Sequence, residues 1–295
     1  MKDIRSGQPF KTKLLHQLRR IFKIRPFERW LASKTAGMTM DKLLYKFIPH
    51  SYTYPHKSFR LIQRDGINLN VDISDFLGHG LYFGYDNDEA QSYEKLLRQI
   101  KPGFLCIDVG ANIGFVSMRM ALREKDVSVI GFEPDPINYQ RAKENLSFNS
   151  FEKIKIHNLG LGESKGEAMM EVRVSNNLGG NRIGKPGVIG EKVEITTIDL
   201  FFANESAPID LIKIDVEGYE LKVLKGAKSI LSRCHPILFV EINESNLGYQ
   251  GDTATELISY LRDVGYEKFI NTGTGEKISG STDFKNLHFD LLASK

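Results

Sequence analysis

From Phe104 onward, short apolar runs alternate with stretches whose apolar residues recur at helical spacing. Phe104–Val109, bounded by Pro102-Gly103 and Gly110, predicts a strand buried on both faces. A helix over 114–123 and a strand over 127–132 follow. The next helix is expected from Asp135 to Asn149, with Asp135 as its N-cap and Pro136 in its first turn. A strand over 153–157 comes after it. Strands over 209–214 and 236–241 each precede a helix, at 219–232 and 253–263. Residues 266–270 and 287–292 predict closing strands, and 168–174 with 192–197 an inserted hairpin. Such alternation makes an α/β fold, a mostly parallel sheet with helices on both faces. Its ligands bind beyond the carboxyl ends of the strands, where the strand order reverses. Residues 1–85 lack the alternation and read as an accessory region ahead of an α/β domain over 86–295.

Composition narrows the class. Of 295 residues, 41% are apolar and 26% charged, which excludes disordered, collagenous and coiled-coil chains. The longest apolar runs, such as Pro236–Val240, fall far short of the ~20 residues of a membrane span, and no signal-peptide-like apolar stretch opens the chain. Two cysteines, Cys106 and Cys234, exclude a disulfide scaffold and a Cys-based zinc cluster. A cytoplasmic protein is expected. The net charge of +3 divides unevenly: residues 1–60 hold 14 Lys and Arg against three acids. Within 11–26, Leu14, Leu18 and Ile21, with Leu15 and Phe22, recur at helical spacing among the cations. The first reading is a helix packed on the acidic domain with its charges solvated. The second is peripheral contact of residues 10–25 with an anionic membrane. Phosphate contact with nucleic acid ranks last, since no nucleic-acid module accompanies the segment.

The first strand runs into Asp108-Val-Gly110-Ala-Asn112-Ile-Gly114. Glycines there let the backbone turn tightly and approach a ligand, and the helix behind offers a free N-terminus. A dinucleotide reader would carry glycine where Asn112 stands, and the Asp108 carboxylate would repel a pyrophosphate. It suits a ligand with a cationic end. Glu133 and Pro134 end the second strand; Glu133 lies 23 residues after Gly110, where a carboxylate can accept both ribose hydroxyls. The combination points to S-adenosylmethionine rather than a nicotinamide dinucleotide. The competing account has Gly110 and Gly114 serving only helix–strand packing.

Phe104–Gly114, Gly131–Asp135, Thr197–Leu200, Asp210-Leu-Ile-Lys-Ile-Asp-Val-Glu-Gly-Tyr-Glu220, Val223–Ala227 and Val240–Asn243 together resemble the FkbM family of methyltransferases over residues 85–295. The resemblance implies a class I, Rossmann-like methyltransferase fold and S-adenosylmethionine as cofactor. It also implies methylation of hydroxyls on sugars or natural products. It puts Asp108, Gly110, Asn112 and Gly114 around the methionine part of the cofactor, Glu133 on its ribose, and Gly162 and Glu163 at its adenine.

The fourth strand delivers Lys213, Asp215 and Glu217 to the rim. Side chains alternate along a strand, so the three share a face if extended geometry persists. Asp215 and Glu217 are expected to be catalytic, as proton acceptors for an attacking hydroxyl, and Lys213 to bind the acceptor. An ion pair and a helix cap are the structural alternatives. Glu241, ending the fifth strand, is a third rim carboxylate and is also expected to be catalytic, orienting the acceptor or ligating a metal; nothing in the spacing of the three demands a metal. The glycine-rich stretch 175–190 reads either as an acceptor lid carrying Asn181 and Arg182 or as an exposed loop. Asn243–Gln250 reads as a second acceptor loop. His288, like His16, His50, His56 and His79, shows no carboxylate or Cys partner at ligand spacing. The expected partner is therefore a small-molecule, sugar or glycolipid acceptor. An RNA methyltransferase and a binding protein that lost its chemistry are the rival readings.

Overall fold

A computed structural model describes residues 17–39, 41–84, 88–171, 180–185, 187–205, 207–280 and 282–295. The chain falls into two compact units, one running through Ile62 with Asn70–Ala90, the other comprising Gln63–Leu69 with Gln91–Lys295. The smaller unit contains helix α1 (Arg25–Thr35), strands β1 (Phe59–Arg64) and β2 (Ile67–Asp72) of a two-stranded sheet whose tip belongs to the larger unit, and helix α2 (Phe76–Phe83). Its buried ion pair joins Glu28 on α1 to Arg60. The guanidinium donates from Nε at 2.6 Å and from Nη2 at 3.0 Å, one bond to each carboxylate oxygen, the bidentate geometry that makes such pairs strong.

Helix α3 (Asp88–Leu97) carries the chain into the larger unit at Gln91. Then come β3 (Leu105–Val109), α4 (Phe115–Arg123), β4 (Ser128–Phe132), α5 (Pro136–Ser147) and β5 (Ile154–His157). After the short strand β6 (Gly160–Leu161), β7 (Gly166–Glu171), β8 (Arg182–Ile183) and β9 (Glu191–Thr196) build a four-stranded sheet in the order β6-β9-β7-β8. The chain returns through α6 (Ile198–Phe201), β10 (Leu211–Ile214), α7 (Glu220–Lys225), α8 (Lys228–Cys234), β11 (Ile237–Asn243), α9 (Glu244–Gln250) and α10 (Ala254–Asp263) to β12 (Lys268–Asn271) and β13 (His288–Ser294). The main sheet has the order β12-β13-β11-β10-β3-β4-β5. Strands β11, β10, β3, β4 and β5 are parallel, and β13 runs antiparallel to both β11 and β12. From β3 the order proceeds one way to β4 and β5 and the other way to β10 and β11. The reversal therefore lies between β3 and β10, as the alternation predicts.

The central strands are apolar runs with little alternation because both faces are covered; all four residues of β10 are buried. Asp135 caps α5 by accepting from the Ile137 and Asn138 amides, and Pro136 fills the first position, where no amide is needed. The expected helix over 219–232 is two helices. A Cβ on Gly226 would lie 1.9 Å from the Gly162 carbonyl oxygen, so the break lets the 160–162 segment approach. Asp199 then accepts from the Ser229 and Ile230 amides and satisfies the start of α8. The inserted hairpin forms as β7 against β9. Asn243–Gln250 is a helix rather than a loop: the Asn243 side chain caps it by accepting from the Asn246 amide. Of the basic segment, residues 10–16 lie outside the described residues, and 17–21 are helical.

Candidate active site

Strands β3 and β10 set Lys213 directly beside Asp108, and the two side chains pair beneath the glycine turn. Lys213 Nζ lies 3.2 Å from Asp108 Oδ1 and 3.4 Å from Asp215 Oδ2, and donates to the Gly110 carbonyl at 2.8 Å. Ser117 on α4 donates to the other Asp108 oxygen at 2.6 Å. Lys213 is only 2% exposed. Burial works against its charge, but the Asp108 and Asp215 carboxylates outweigh it and hold the ammonium above its ordinary range. The expectation that Lys213 binds an acceptor is therefore corrected: its ammonium braces the turn from below. Lys213 offsets the buried Asp108 charge, and of the two carboxylates it faces only Asp215, 31% exposed, reaches solvent.

Gly110 has φ of +80°, and a Cβ there would lie 1.9 Å from the Asp215 carbonyl oxygen. The glycine is thus demanded by the approach of the Asp215 backbone just past the end of β10. Gly114 (φ +80°) precedes α4 against Ile156 and Ala142. The Gly110 and Ala111 amides both donate to the Phe132 carbonyl. Asn112, also in the left-handed region at φ 49°, turns its amide to Glu133 Oε2 at 2.7 Å. Glu133 Oε1 accepts from the Asp135 amide at 2.9 Å. Burial pushes the Glu133 carboxyl up to about 8, against the pull of these two amides. Asn158, which opens the segment leading to Gly162 and Glu163, donates to the carbonyls of Glu133 and Pro134, both at 2.9 Å, and fixes that corner. Gly162 packs under the Tyr219 ring, while Glu163 is exposed.

The rim carboxylates do not share one face. Strand β10 stops at Ile214, and Glu217 takes φ 55°, which turns it toward α9, where Asn246 Nδ2 donates to Oε2 at 2.7 Å. The alternation therefore holds for Lys213 and Asp215 and fails for Glu217. Gly218 (φ +104°) is forced by the Asn246 carbonyl, 2.3 Å from where a Cβ would stand. Glu220 accepts from the Val216 and Gly218 amides, a structural brace for this turn. Asp215 Oδ2 accepts from Tyr93 Oη at 3.2 Å; Tyr93 sits on α3, outside the alternation, and no sequence signal marked it. Glu241 is buried, with His288 Nε2 2.8 Å from its Oε1, a partnership the histidine spacing did not reveal because it arises between β11 and β13. Burial first, then the charges of Asp215, Glu220, Glu217 and Asp290, push the Glu241 carboxyl well above its usual range. The charged form that a proton acceptor needs is thus disfavoured at Glu241.

The lid residues are also committed elsewhere. Asn181 Nδ2 donates to Asp135 Oδ2 at 2.8 Å, on the Glu133 side of the crevice. Arg182 pairs with Glu171 at 2.8 Å and lies over the Tyr249 ring, 3.2 Å from its centre. Residues 172–179 of the expected lid lie outside the described residues.

Hexuronic acid methyltransferase AglP of Haloferax volcanii is 29% identical over 164 residues, 56% of this chain and 65% of that protein. Methyltransferase sdnD of Sordaria araneosa is 29% identical, covering 41% of this chain and 59% of that one. The matches thus span less than two thirds of these relatives' own length. Among solved structures, the methyltransferase FkbM of Methylobacillus flagellatus aligns over 74% of this chain and 55% of its own, at 20% identity and a TM-score of 0.44. The model of the methyltransferase FkbM domain matches residues 108–268, more than half of the chain, and the protein belongs to that family.

Proposed function

We propose that this chain transfers the sulfonium methyl of S-adenosylmethionine to a hydroxyl oxygen of a sugar, glycolipid or small metabolite. One observation carries the reading: a ribose-ready carboxylate, Glu133, and a solvent-reachable carboxylate, Asp215, flank one glycine turn at the point where the strand order reverses. Each Glu133 oxygen takes a single backbone amide and keeps a lone pair for a hydroxyl donor, so the residues fit the nucleoside. Glu133 would hold the ribose, the backbone at Asn112 would lie along the methionine part, and the Gly162 segment would flank the adenine. Bound there, the cofactor supplies a methyl already activated for in-line displacement. What remains for the protein is to hold the acceptor oxygen in line, an effect worth up to about 7–11 kcal/mol, and to receive its proton. The sugar acceptor is supported by the FkbM family and by the hexuronic acid methyltransferase among the relatives.

Two measurements test this. Ribose hydroxyls favour the charged form of Glu133, so cofactor binding at pH 7 expels close to one proton from a carboxyl that titrates at about 8. Affinity therefore rises with pH up to about 8 and levels off above it. Calorimetry in buffers of different ionisation enthalpy reads the proton, and Glu133→Gln abolishes both the release and the slope. A pH-independent affinity in the unaltered protein takes Glu133 off the ribose. Labelled methyl donor, offered with neutral sugars, uronic acids, lipid-linked sugars and RNA, is expected to label a sugar hydroxyl. Label in RNA alone overturns the acceptor class.

A further inference from the structure

Helix α1 is apolar on two sides. Glu28, Leu31, Ala32 and Thr35 are buried within the smaller unit. Phe27 and Trp30 lie on a flanking side, with Lys34 on the next turn. They are 49% and 47% exposed, and Ile24, at the head of the helix, is 54% exposed. Ile21, in the preceding turn, is exposed too. Trp30 stacks on Phe22 at 6.2 Å, and Phe22 packs on Phe47 at 5.7 Å. The aromatic patch is thus anchored from one side and open on the other. Contiguous exposed apolar surface of this kind marks an interaction site.

The surrounding charge identifies the partner. Arg19 and Lys23 serve the fold, donating to the carbonyls of Lys46 and Thr53. Arg20, Arg25, Arg29 and Lys34 are exposed. Glu28, the sole acid of α1, is buried against Arg60 and lies 3.9 Å from Arg25, so Arg25 serves that pair and Arg20, Arg29 and Lys34 are left to the surface. Two copies meeting face to face would bring these cations against one another. Trp, Phe and Ile rimmed by Lys and Arg match a lipid interface, where the rings sit among headgroups and the cations meet phosphates.

We propose that Ile21, Ile24, Phe27 and Trp30 seat the protein on an anionic bilayer, with Arg20, Arg29 and Lys34 bound to its phosphates. Among the described residues no helix is long and apolar enough to cross a membrane, and this contact is interfacial. It is independent of the methyl-transfer reading.

Trp30 is the chain's single tryptophan, so intrinsic emission reports on this surface directly. The 295-residue chain is titrated with phosphatidylcholine vesicles with and without phosphatidylglycerol. The expected result is a blue shift and co-sedimentation with the anionic vesicles, both weakened by salt. Phe27→Asp retains the reporter and lowers vesicle affinity roughly tenfold or more. Arg20→Gln combined with Arg29→Gln lowers it roughly 30-fold. Both variants keep the parent's circular dichroism. Emission unmoved by either vesicle overturns the proposal. So does an emission that is already blue without lipid and reddens on dilution, which would mean that a second copy covers the patch.

Discussion

Lys213→Met is expected to lower the unfolding free energy by about 3–5 kcal/mol, the cost of leaving a buried charge without its partner. The substitution keeps the stem that fills the centre of β10 and removes only the ammonium. Asp108, wholly buried, then retains just the Ser117 hydroxyl, and the Gly110 carbonyl loses its donor. Adding Asp108→Asn removes the stranded charge, so the double variant should recover about half or more of the loss; an apolar or neutral replacement of a whole pair is often close to neutral. Urea midpoints of the parent, the two single variants and the double variant measure this coupling directly. A Lys213→Met midpoint within about 0.5 kcal/mol of the parent's, the range of an ordinary surface substitution, would mean that the pair does not hold the turn.

That pair also shows what the sequence could and could not convey. The five parallel strands were legible because a strand covered on both faces must be a run of apolar residues, and Asp135-Pro136 announced its helix through capping chemistry. Lys213 was visible as a cation at a strand end but not as a brace, because its partner is fixed by register with β3, a strand about a hundred residues away in the chain. Strand periodicity likewise could not foresee Glu217 at a positive φ, a conformation that non-glycine residues seldom adopt. The turn that turns it aside is imposed from outside, by the Asn246 carbonyl pressing on Gly218. Helix α9 was hidden by its Asn, Ser and Gly content, which reads as loop; its Asn243 cap is the signal that could have revealed it. Tyr93 and His288 reach the rim from elements that carry no motif, and only the fold brings them to carboxylates.

Asp215→Asn is expected to leave cofactor affinity within a few-fold of the parent's and to lower kcat by 10²–10⁴-fold, the usual range for loss of a positioned proton acceptor. The three rim acids are not equivalent here. Glu217 is turned to Asn246, and Glu241 is buried against His288, its charged form disfavoured by burial and by the Asp215 charge. Asp215 alone of the three stands beside the glycine turn, partly open to solvent and steadied by Tyr93 and Lys213. An amide keeps the size and the acceptance of the Tyr93 hydrogen bond but cannot take a proton, so the loss should fall on turnover rather than on binding or on the thermal midpoint. Tyr93→Phe acts through the same carboxylate. Losing a hydrogen bond to a charged group, about 1.5–3 kcal/mol, would free Asp215 to swing and lower kcat roughly tenfold or more, again with cofactor affinity kept. Single-turnover rates with saturating methyl donor separate chemistry from binding. If Asp215→Asn turns over at the parent's rate once saturated, the proton leaves by another route and Asp215 serves only the charge balance around Lys213.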